Sequence, residues 1–103
     1  MSVFEDVEII KAANIYFDGM VTSRVINFKD GATKTLGIMM PGSFEFSTEH
    51  YELMEIMAGE LAVLLPEHDA WETIKAGESF EVPAQTIFKL EVKSVVDYCC
   101  SYS

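Results

Sequence analysis

The feature that most limits the fold of this chain is its punctuation. Asp18-Gly19, Asp30-Gly31, Pro41-Gly42, Gly59, Pro66, Ala76-Gly77 and Pro83 break it again and again along its length. The intervals hold strand-length segments, and none carries a long helical pattern. Within them the apolar residues recur at period two, most plainly in Phe88, Leu90 and Val92 against Lys89, Glu91 and Lys93. Met20–Phe28 is rich in β-branched residues, and Lys34–Met40 leads into Pro41. Glu60–Leu65 is an almost unbroken apolar run, expected to be buried on both faces. Trp71–Ile74, Phe80–Val82 and Val95–Tyr102 complete about eight to ten short strands, the pattern of an all-β jelly-roll barrel. Met1–Ala13, with Phe4, Val7 and Ile10 loosely spaced, reads as a short helix or an arm outside the barrel of residues 14–103.

A chain of 103 residues makes one domain. Its formal charge of −10 argues against nucleic acid and anionic membrane as main partners, because both demand a basic footprint. No apolar run reaches the length of a membrane span, and the first thirteen residues are acidic where a signal peptide is basic, so a cytoplasmic location is expected. Cys99 and Cys100 are adjacent and therefore point to opposite faces of a strand. They are expected to be reduced structural thiols rather than a bridge.

The segment from Gly42 to Gly59 carries the polar concentration of the chain. It reads as a strand, a polar turn and a second strand. Phe44 and Phe46 share a parity that continues through Thr48, His50 and Glu52 to Met54 and Ile56. If the turn preserves it, Glu52 sits at the polar lip of an apolar pocket.

The spacing Gly42-x5-Thr48-x-His50-x-Glu52-x6-Gly59, followed by Gly77-x5-Pro83, resembles the two motifs of the cupins. In metal-binding cupins these motifs supply three histidines and a glutamate. Here Thr48 and Phe88 stand at two of the ligand positions, so the expectation is a cupin-type barrel with no metal and no cofactor. His68 is expected to be a solvated loop residue. Asn14-x-Tyr16-Phe17-x-Gly19, Thr35-Leu36-Gly37-Ile38-Met39-Met40-Pro41-Gly42, Phe46-x-Thr48, Glu52-x-Met54, Gly59-x-Leu61, Leu65-Pro66, Trp71 and Ala76-Gly77-x-x-Phe80-x-Val82-Pro83 together resemble the small pyrimidine/purine nucleoside phosphorylases. Some relatives carry a histidine where this chain has Gln85 and an arginine where it has Ser101.

The resemblance implies a metal-independent pentosyltransferase that exchanges nucleoside and inorganic phosphate for free base and pentose 1-phosphate. Such a site needs an anionic group near the ribose, donors for phosphate and an apolar surface for the base. Glu52 is the candidate for the sugar, and His50 for a proton to the base or a bond to phosphate. Phosphate is expected at Arg24, Lys34 and Thr48, with Lys34 directed toward the pocket mouth by its parity with Leu36, Ile38 and Met40. Phe46, Tyr51 and Phe88 are candidates for base and ribose. A homodimer that covers strand edges is expected. The competing readings are a cupin that binds a sugar or nucleotide without turnover, and a metal-dependent cupin oxygenase or isomerase.

Overall fold

The computed structural model describes residues 2–103. Eleven strands alternate with turns in them: β1 Glu8–Ile9, β2 Asn14–Tyr16, β3 Val21–Asn27, β4 Thr33–Met39, β5 Gly42–Ser47, β6 Glu52–Ala58, β7 Glu60–Leu64, β8 Glu72–Lys75, β9 Ser79–Val82, β10 Ile87–Val92 and β11 Val96–Tyr102. Phe17–Gly19 forms a single 3-10 turn in which Phe17, Asp18 and Gly19 all take positive φ. The seven-stranded sheet has the order β1-β3-β4-β11-β6-β9, with β2 also on β3, and the four-stranded sheet has the order β5-β10-β7-β8. Every ladder is antiparallel. Among the described residues no ladder joins the two sheets, so the jelly roll is a sandwich rather than a closed cylinder.

The alternation read from the sequence sets what lies between the sheets. Val21, Met39, Met54, Ile56, Tyr98 and Cys100 pack from the larger sheet against Phe44, Leu61, Val63, Phe88, Leu90 and Val92 of the smaller one. Each apolar side chain of this size contributes about 1.5–3 kcal/mol when fully buried. Leu61, Ala62 and Val63 are all buried, as a strand covered on both faces requires. Cys99 and Cys100 are both free and buried, on opposite faces of β11.

No helix forms before Asn14 in the described residues. Instead β1 and β2 run in tandem along the outer edge of β3, Glu8 facing Asn27 and Asn14 facing Ser23. Ile10 still donates its amide to the Val25 carbonyl at 3.0 Å, and residues 11–13 bulge out between the two strands. The Arg24 guanidinium spans the bulge by donating Nε to the Lys11 carbonyl at 3.2 Å. An edge strand satisfies backbone groups that a short, carboxylate-rich helix could not bury.

The expected direction of Lys34 is reversed. Thr35 and Met39 face the interior, while Leu36, Ile38 and Met40 are exposed on the outer face, and Lys34 goes with them. Its ammonium lies 5.4 Å from the Phe4 ring and 5.7 Å from the Phe28 ring. The shared parity of Lys34, Leu36, Ile38 and Met40 holds, but the row faces outward. Leu36 and Ile38 are as apolar as Met39, so hydrophobicity alone does not say which row faces in.

Candidate functional site

β5 and β6 belong to opposite sheets, and the connection Thr48–Tyr51 crosses the open end of the sandwich. Thr48 is buried and fixes this crossing. Its Oγ1 donates to the Pro83 carbonyl at 2.7 Å and accepts from the Thr86 amide at 3.1 Å. The backbone amide of Thr48 in turn donates to the Thr86 carbonyl at 2.9 Å. Two connections that each cross between the sheets, residues 48–51 and 83–86, are thereby tied together.

The space they enclose is a cavity of about 190 Å³. Phe46 and Ser47 of β5 and Phe88 and Leu90 of β10 form one wall. Opposite stand Val21 and Ser23 of β3, Met39 of β4, and Met54 of β6. Tyr98, Cys100 and Tyr102 of β11 line it at every second residue, and Tyr16 of β2 closes the side. Phe46 and Phe88 lie nearly parallel, with ring centroids 5.6 Å apart. Glu52, at the start of β6, is the one carboxylate among the described residues that line the cavity.

The Glu52 carboxylate accepts a hydrogen bond from the Cys100 thiol, Sγ to Oε1 at 3.5 Å. Burial raises its pKa above the ordinary glutamate value, while the thiol donor and the nearby His50 pull in the other direction. Burial likewise pushes the Cys100 thiol and the Tyr98 and Tyr102 phenols well above their usual values, so all three stay neutral donors near pH 7. Tyr98 donates to the Thr22 carbonyl at 3.2 Å, and the Tyr102 hydroxyl pairs with Thr35 Oγ1 at 3.3 Å.

An outer cleft adjoins the cavity and shares Tyr16, Ser23 and Tyr102 with it. It is lined by further small donors, Asn14, Thr33 and Thr35, and by His50. Asn14 Nδ2 donates to Ser23 Oγ at 3.2 Å across it. No arginine or lysine of the described residues lines either space.

Of the residues singled out from the sequence, Glu52, Phe46 and Phe88 meet in the cavity and His50 stands at the adjoining cleft. The others lie elsewhere. Arg24 is held at the β1/β2 bulge, Lys34 is on the outer face, and Thr48 is taken up by Pro83 and Thr86. Tyr51 points outward and donates its hydroxyl to Glu81. His68 is exposed beside Glu72. The residues that sequence reasoning passed over are Tyr16, Ser23, Tyr98, Cys100 and Tyr102. For β11 the signal was present, since Tyr98, Cys100 and Tyr102 repeat at period two on a strand whose Val96 is apolar.

The donor set does not form the metal shell of a metal-binding cupin. The cavity offers one carboxylate and one thiol, already bonded to each other, and no imidazole. Among the described residues no three His, Cys, Asp or Glu side chains converge.

A family model described as pyrimidine/purine nucleoside phosphorylase matches residues 11–102. The chain belongs to the pyrimidine/purine nucleoside phosphorylase family. A relative named pyrimidine/purine nucleoside phosphorylase from Geotalea uraniireducens is 62% identical over 102 residues, covering 99% of this chain and 98% of the relative. Another of that name, from Hydrogenovibrio crunogenus, is 55% identical over 99% of this chain and 98% of its own length. A solved structure from Acinetobacter sp. ADP1, described as a protein of unknown function, superposes with a TM-score of 0.94 at 39% identity over 98% of each chain. A cupin superfamily protein from Desulfitobacterium hafniense gives a TM-score of 0.67 at 19% identity over 90% of this chain and 82% of that one, which establishes the cupin fold for this family member. No helix of the described residues is long and apolar enough to cross a membrane.

Proposed function

We propose that the chain catalyses metal-independent phosphorolysis of purine and pyrimidine nucleosides in the cytoplasm, with inorganic phosphate as co-substrate. The observation that carries this reading is a cavity walled by Phe46 and Phe88 and holding a single, partly buried carboxylate, Glu52, in a chain of this family. In the reaction a phosphate oxygen bonds to C1′ of the sugar as the C1′–N bond breaks, and the bonding pair leaves with the base. Positive charge develops on the ribose ring at the transition state. A carboxylate in a low-dielectric cavity opposes that charge and accepts hydrogen bonds from ribose hydroxyls. The aromatic wall takes the base. His50, at the cleft, is placed on the polar side, where it can donate to phosphate or to the departing base.

Phosphate then rests on neutral donors of the outer cleft, Asn14, Thr33, Thr35 and Tyr102, with Arg24, Lys34 and Thr48 as the alternatives from the sequence. The shortage of cations also favours a second reading, a cupin that binds a nucleoside without turnover. The exposed apolar row Leu36, Ile38 and Met40 supports association as a homodimer.

The test is free-base release from uridine and from inosine, with and without phosphate, after chelator treatment. Phosphate-dependent release from both, reduced about a hundredfold or more in Glu52→Ala, is the expected result. A folded protein that binds nucleoside and releases no base refutes phosphorolysis and leaves the binding reading.

A further inference from the structure

We propose that Cys100 is a positioning residue of this site, its thiol holding Glu52 through Oε1 and leaving Oε2 for the ligand. This rests on the phosphorylase reading for its kinetic consequence, but the pairing itself belongs to the fold.

Three observations carry it. The thiol and carboxylate are 3.5 Å apart, within sulfur hydrogen-bond range, across the β6–β11 pair. This is the one hydrogen bond made by the Glu52 side chain among the described residues. Cys100 is 2% exposed, so the donor of this bond is shielded from water. β11 also gives the two neighbouring cysteines different settings. Cys99 lies on the outer face, and Cys100 lines the cavity.

A free glutamate at a cavity wall samples several rotamers, and fixing one of them removes that entropy before substrate arrives. A thiol suits the task because it is a weak donor. It orients the carboxylate while leaving most of the carboxylate's charge available to the sugar. A lysine or arginine in its place would neutralise that charge.

The groups facing Glu52 are few. β11 contributes Cys100, Tyr98 and Tyr102, β2 contributes Tyr16, and the β5–β6 connection contributes His50. The other residues lining this cavity, Val21 and Ser23 of β3, Met39 of β4, Phe46 and Ser47 of β5, Met54 of β6, and Phe88 and Leu90 of β10, carry no titratable group.

The experiment compares Cys100→Ser, which keeps a donor, with Cys100→Val, which keeps apolar volume. If Cys100 only fills space, valine retains activity and serine loses it. Positioning predicts the opposite order: kcat/KM falls roughly three- to tenfold in Cys100→Val and is restored in Cys100→Ser. The acid limb of the pH profile also moves to higher pH in Cys100→Val, because removing a donor to the ionised form raises the carboxylate's pKa.

Titration of the Glu52 side-chain carboxyl by carbon-13 NMR, without substrate, reads the same bond independently of turnover. A higher Glu52 pKa in Cys100→Val than in wild type supports the pair even if wild type proves to have no phosphorylase activity. An unchanged titration, or a Cys100→Val enzyme as active as wild type, overturns the proposal.

Discussion

Gly37 in β4 is the position where one added methyl group has the best-defined consequence. It faces Tyr98 on one side and Ser23 on the other, and the Tyr98 ring crosses it to reach the Thr22 carbonyl. A Cβ at Gly37 falls 2.0 Å from the Thr22 oxygen and 2.7 Å from both the Cζ and the hydroxyl of Tyr98. The second clash can relax by moving a side chain, but the first is with backbone. Relieving it pushes β3 and β4 apart in the middle of the larger sheet. Overpacking of this kind costs about 1–3 kcal/mol, and the lost Tyr98–Thr22 bond adds about 1 kcal/mol. The stiffer unfolded chain returns about 0.5–1 kcal/mol. Gly37→Ala should therefore destabilise by about 1–3.5 kcal/mol, a fall in Tm of about 5–25 °C for a domain of this size. Urea unfolding followed by far-UV circular dichroism measures it, with Tyr98→Phe isolating the hydroxyl. Because the obstruction is backbone, Tyr98→Phe should not rescue Gly37→Ala. An alanine variant within about 0.5 kcal/mol of wild type, or a rescue by Tyr98→Phe, would show that the close approach is not what requires glycine.

Burial raises the Glu52 pKa in the folded state above its unfolded value, so ionising this group costs stability as pH rises through the folded pKa. Glu52→Gln, neutral throughout, should raise the urea midpoint above wild type at pH 7, with the gap closing below about pH 4.3; a less stable variant at pH 7 would contradict the burial argument. Thr48→Ala should cost about 1–3 kcal/mol by leaving the Pro83 carbonyl and the Thr86 amide without their partner. If Thr48 instead holds phosphate, its KM rises while urea stability stays the same. Ile38 is 40% exposed on the outer face, and Ile38→Glu should convert a dimer to monomer in light scattering without changing the circular dichroism spectrum. A monomeric wild type would remove the self-association reading.

Period-two alternation gives Phe44, Phe46, Glu52, Met54 and Ile56 one parity through a polar crossing, and the structure turns all five toward the space between the two sheets. Glycine and proline positions marked the turns because only a few backbone conformations fit there; Gly59, at φ 88°, sits against the Val95 carbonyl where a Cβ would be 2.2 Å away. Hence strand content, jelly-roll class and the aromatic half of the cavity were legible. The phosphate candidates Arg24, Lys34 and Thr48 rest on residue chemistry, which does not reveal a side chain's other engagements. Arg24 bridges a bulge whose existence depends on β1 and β2 both choosing the edge of β3.

The sequence alone therefore determined the strands, their turns and which residues share a face, since these follow from local backbone geometry. Only the tertiary structure decided which face points inward in β4, and that β5 and β6 enter opposite sheets. It alone brought Cys100 from the last strand to Glu52 in the middle of the chain. Those outcomes depend on contacts between residues far apart in sequence, which no local pattern encodes.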